Sequence, residues 1–92
     1  MIQVNEVRRD GGWELAFSGH AGYSQGEDIV CAAVSILFFT LAEAVSRGGG
    51  GASFRSGRGR VFVPEGYERE RSFVRRGVLL LAERYPGNVK WG

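Results

Sequence analysis

From Ile29 to Arg47 the chain runs nineteen residues, IVCAAVSILFFTLAEAVSR, with neither a proline nor a glycine. Such a run reads as a helix, because nothing in it breaks the hydrogen-bond ladder and its alanines and leucines favour it. Asp28 stands just before it as the N-cap, and Arg47 lies near its end, where positive charge is favourable. The helix is apolar almost all round, and a helix apolar on every face has to be covered on every face. A small sheet covers one side and a second helix one flank. A second copy of the chain is expected over the rest, centred on the apolar belt from Ile36 to Leu41. Ile29 to Ala42, the longest apolar stretch, contains Ser35 and Thr40 and reads as too short to span a bilayer. No membrane partner is expected.

The residues around this helix read as strands and one further helix. Ile2 and Val4, then Trp13, Leu15 and Phe17, alternate with polar or small residues, the period of half-buried strands. Asp10, Gly11 and Gly12 supply a hairpin turn between them. Gly48 to Gly51 end the helix and read as a flexible connection. No lysine followed by serine or threonine trails these glycines, so a phosphate-binding loop is excluded. ASFRSG and GRVFVPE read as a second hairpin turning near Ser56 to Gly59. A second helix is expected from about Tyr67 to Tyr85, stopped by Pro86 and Gly87, and NVKW reads as a short closing strand. The order ββαββα predicts an α+β domain over residues 1–92, an antiparallel sheet with two helices packed on it.

Ninety-two residues support one modest core, and a single cysteine makes no internal disulfide, so a secreted, stapled scaffold is excluded. MIQVNEVRRD lacks the apolar centre of a signal peptide, and a soluble, cytoplasmic protein is expected. The cations are arginines apart from Lys90, and arginine suits bidentate contact with phosphates. RSGRGR and RERSFVRRG therefore allow an RNA contact. Because Glu65, Glu68 and Glu70 stand among them, the expectation is a solvated, charge-balanced face.

GHAGYSQGEDIVCAAVS, Gly19 to Ser35, holds the only histidine and the only cysteine. With Asp28 as cap, Cys31 falls in the first helical turn, where unpaired backbone N–H groups favour an anion. The thiolate is the nucleophilic form of cysteine. His20 precedes it on a glycine-rich loop able to fold back over the helix start and take the thiol proton. Ser35 lies one turn beyond Cys31 on the same face. The N–H groups of the helix start are candidate donors to a tetrahedral oxyanion. The same residues also suit plain packing: a buried thiol, a cap, and a serine bonded to a carbonyl one turn back. One cysteine and one histidine are too few for a zinc site. Spacing alone leaves catalysis and packing both open.

GHAGY followed by Gly26-Glu27-Asp28-Ile29-Val30-Cys31-Ala32-Ala33-Val34-Ser35 resembles the bacterial ribosomal-processing cysteine proteases called Prp. The likeness extends to the element order, the length and the RYPGNVK ending, and so covers essentially the whole chain. It implies a dimeric endopeptidase that removes the N-terminal extension of the large-subunit ribosomal protein L-twenty-seven, with no cofactor. It places the nucleophile at Cys31 and the histidine at His20, with Gly19, Asp28 and Ser35 in support. The family's substrate is apolar and ends in aromatic residues before the cut. Ala21 to Glu27 then reads as a mobile cover for it, hinged at Gly22 and Gly26. The rival reading is a non-catalytic ribosome- or RNA-binding module that uses the arginines.

Overall fold

Alternation in the first eighteen residues folds as expected into two paired strands. In the computed structural model, which describes Met1–Gly92, these are β1 (Ile2–Arg9) and β2 (Gly12–Ser18), turning at Asp10 and Gly11. The long apolar run forms α1 (Ile29–Val45), and a single 3-10 turn, Ser46–Gly48, extends it. Then come β3 (Ala52–Arg55), β4 (Arg58–Pro64), α2 (Glu68–Arg84) and β5 (Val89–Trp91). The strands lie in the order β3-β4-β2-β1-β5. The two hairpins and the β2–β4 pair are antiparallel, as predicted. The closing strand departs from that expectation: β5 runs parallel to β1, with Ile2 opposite Val89 and Val4 opposite Trp91. α2 is the crossover that brings the chain back in the same direction, so the sheet is mixed.

Both helices pack on one face of this sheet. Ile2, Val4, Leu15, Phe17, Val61, Val63 and Val89 point towards them and meet Val30, Val34, Phe38, Leu41, Val45, Val74 and Val78. Each fully buried Val or Leu in such a core contributes roughly 1.5–3 kcal/mol. The helices touch where Gly77 of α2 meets Leu37 of α1; a Cβ at position 77 would lie 2.9 Å from Leu37 Cδ2. Arg71 fastens α2 to the sheet, 2.6 Å from Glu6 Oε2 and 4.1 Å above the Trp13 ring.

Two expectations about the long helix change. With its 3-10 turn it runs over twenty residues, Ile29–Gly48, long and apolar enough by length and composition to cross a membrane, where the shorter stretch to Ala42 was not. Its inner face is nevertheless committed to the sheet. The belt from Ile36 to Leu41 is also divided, since Phe38 and Leu41 are buried while Ile36 and Phe39 remain outside. Gly48 to Gly51, expected to be a flexible connection, close as a packed turn. Gly49 takes a left-handed conformation, Gly50 N–H donates to the Val45 carbonyl at 2.9 Å, and Gly48 lies against Tyr67.

Candidate active site

Gly19 turns the chain out of β2 with φ 93°, and a side chain there would run into the Met1 carbonyl oxygen. Glycine meets both demands. His20 follows at the surface, its carbonyl accepting from the Met1 ammonium at 2.5 Å. Ala21 then drops into the core. Its N–H donates to Cys31 Sγ at 3.1 Å, and its carbonyl accepts from Asn88 Nδ2 at 2.8 Å. The loop is thus held on both sides of one residue, Ala21.

Asp28 caps α1 as the sequence predicts and does more besides. Oδ1 accepts from the N–H groups of Val30 at 2.9 Å and Cys31 at 3.0 Å. Oδ2 accepts from Tyr23 at 2.8 Å and Ser24 at 3.4 Å. The bond from Cys31, with those from Tyr23, Ser24 and Val30, holds this carboxyl below its ordinary 3.8, partial desolvation opposing them. The Val30 and Cys31 N–H groups, expected to await an oxyanion, are taken by the cap. The donor aimed at the sulfur is Ala21 N–H.

Cys31 is a half-buried free thiol. It lines a cleft of about 270 Å³ together with His20, Gly19 and Ser35. The sole cysteine and sole histidine, eleven residues apart, therefore share one hollow. The other walls were not foreseen: Ile2 and Val34, and Phe54, Ser56 and Gly57 of the second hairpin. Gly19 N–H donates to the Gly57 carbonyl at 2.8 Å, which seats this hairpin tip against the loop. Gly57 has φ 74°, and a Cβ there would lie 2.7 Å from His20 Nε2, so the imidazole rests directly on it. Its glycine-containing turn was the available signal, without any indication of what it would meet.

Asp28 lies beneath the loop with its oxygens committed to backbone, and lines no part of the cleft. Gly22 and Gly26 take left-handed φ values of 68° and 87°, in open space beside the cleft rather than in its wall.

Chemically, the site offers a thiol at a helix start, a backbone N–H donating to it, an imidazole in the same hollow and an apolar wall. The N–H···S contact is worth more to a thiolate than to a thiol.

A family model described as "Cysteine protease Prp" matches residues 1–90. No curated protein matches the chain. Among solved structures it is similar to the essential ribosomal processing protease Prp from S. aureus. The complex with a covalently linked product peptide superposes with a TM-score of 0.83 at 21% identity. The complex with a substrate peptide gives 0.80 at 19%. Each match covers 100% of this chain and 98% of the other, so the two share one fold from end to end. With the family match running from β1 through both helices and into β5, the chain belongs to the cysteine protease Prp family.

Proposed function

We propose that the protein is a ribosomal-processing endopeptidase in which Cys31 is the nucleophile and His20 the general base. The observation that carries this reading is the meeting of the only cysteine and the only histidine in one cleft, with a backbone N–H on the sulfur. His20 takes the thiol proton and Sγ attacks the scissile carbonyl carbon. The tetrahedral oxyanion collapses, His20 returns the proton to the departing amine, and a thioester remains. Water, deprotonated by His20, then releases the acid and restores the thiol. The scheme needs no metal or organic cofactor.

The S. aureus relative binds a peptide, and the resemblance of the His20–Cys31 segment points to the N-terminal extension of ribosomal protein L-twenty-seven. Phe54, Val34 and Ile2 supply an apolar wall suited to the aromatic end of such a segment. Ser35, one turn above Cys31, supports the same hollow. Gly22 and Gly26 let the loop shift over a bound peptide. Cytoplasmic location and pairing of two copies belong to the same reading.

The test is labelling with a chloromethyl ketone built on the extension peptide. A single adduct on Cys31, formed at least about 100-fold more slowly in His20→Ala, is expected. Equal rates in the two proteins would remove His20 from the mechanism, and no adduct would remove the peptide site.

A further inference from the structure

The sheet has a second face that no helix covers, and its charge is lopsided. Register places Arg9 on β1, Arg58 and Arg60 on β4, Arg55 on β3 and Lys90 on β5 together there. Against these five cations stands one acidic side chain, Glu14, 3.6 Å from Arg9 and 3.7 Å from Arg60. This face alone therefore exceeds the whole chain's net charge of +2. The glutamates expected to balance the hairpin arginines are elsewhere: Glu65 pairs with Arg8, and Glu68 accepts from Gly66 N–H. Arg55 and Arg58 stand directly opposite each other across two strands, an arrangement of like charges that destabilises a sheet. Neither has an ion-pair partner. Between them, Arg60, Ser53 and Phe54 line a hollow of about 270 Å³.

We propose that this helix-free face binds the phosphate backbone of an RNA strand. Arginine's planar fork matches phosphate oxygens bidentately, and guanidiniums left without carboxylates gain most from them. The cations reach from one edge strand to the other, about 19 Å across five strands, which suits a polyanion better than one acidic side chain. An open sheet face carrying unpaired guanidiniums is a surface along which the backbone of single-stranded RNA can lie. Phe54 borders both this hollow and the Cys31 cleft, so a protein tail emerging beside bound RNA would be delivered to the thiol. The choice of RNA among polyanions rests on the ribosomal reading above; the phosphate site itself does not.

The experiment needs no cleavage, so its failure is separate from failure of the protease reading. A labelled single-stranded RNA of about 20 nucleotides is titrated with protein by fluorescence anisotropy at several salt concentrations. Three variants are compared: wild type, the triple Arg55→Gln/Arg58→Gln/Arg60→Gln, and a helix-side triple of equal charge change, Arg69→Gln/Arg76→Gln/Arg84→Gln. The sheet triple is expected to bind at least about tenfold more weakly, with a log K against log salt slope shallower by about 2, since each phosphate contact on a single strand contributes about 0.7. The helix-side triple should match wild type. Equal weakening by both triples would reduce the effect to net charge and overturn the proposal. So would absence of wild-type binding at about 50 mM salt, or a poly-glutamate peptide of equal length binding as tightly as the RNA.

Discussion

At position 28 one carboxylate holds two structures with its two oxygens: Oδ1 caps α1, and Oδ2 ties down the loop at Tyr23 and Ser24. Asparagine separates these roles. Its carbonyl oxygen still accepts from Val30 and Cys31, while its amide nitrogen accepts nothing. Asp28→Asn should therefore keep helix content and most of the Tm, yet lose activity as the loop beside His20 loosens. Asp28→Ala should lose both. Thermal melts paired with cleavage rates check this, and equal activity in Asp28→Asn and wild type would show that the loop tie is irrelevant to turnover. The pH dependence has a definite sign. The folded carboxyl sits below the ordinary 3.8, so its contribution is complete above about pH 4 and is lost as pH falls through the lowered value. Melts from pH 7 down to about 3 should show wild type losing an acid-sensitive increment that Asp28→Ala lacks.

Among the elements, the shortest strand has a large part in the site. β5 lies parallel to β1 and carries Asn88 to its start, where the amide holds the Ala21 carbonyl and so fixes the N–H that faces Sγ. Asn88→Ala should cost about 1 kcal/mol of stability, the usual net worth of one hydrogen bond. It should lower kcat by about tenfold while KM stays within about twofold, because the bond orients the sulfur's partner rather than the substrate. Steady-state kinetics decide: a change confined to KM would make the loop a substrate-binding element instead. What was legible in the sequence at this scale is what is encoded locally. The cap at Asp28, the limits of α1 and α2, the two hairpins and the His20–Cys31 segment each depend on neighbours within a few residues. The parallel seating of β5, the Asn88–Ala21 bond and the hairpin wall of Phe54, Ser56 and Gly57 join residues far apart in sequence, and no periodicity announces them. The free N–H groups at the helix start were misjudged for a related reason, since a cap that makes the helix legible also consumes them.

For the molecule as a whole, two surfaces remain after the core is built: the basic open face of the sheet and an apolar outer face of the helix layer. Ile29, Ile36 and Phe39 on α1 are 59%, 62% and 45% exposed, and Phe73 and Leu80 on α2 are 76% and 52% exposed. Phe73 and Leu80 flank Gly77, the residue at which the helices touch, so the apolar side chains continue from one helix to the other. Their extent supports pairing of two copies through this layer. Sedimentation equilibrium at about 10 µM should show a dimer that Ile36→Asp/Phe73→Asp converts to a folded monomer. A wild-type monomer at that concentration would leave the outer face without its expected cover. The central claim, that this fold exists to present one reactive thiol to a peptide, is tested most directly at Cys31. Cys31→Ser changes one atom in a half-buried side chain, so circular dichroism and the melting curve should match wild type closely. Cleavage of the ribosomal extension peptide by that folded variant, followed by mass spectrometry, should fall below detection; cleavage at the wild-type rate would make the thiol a packing residue and contradict the account.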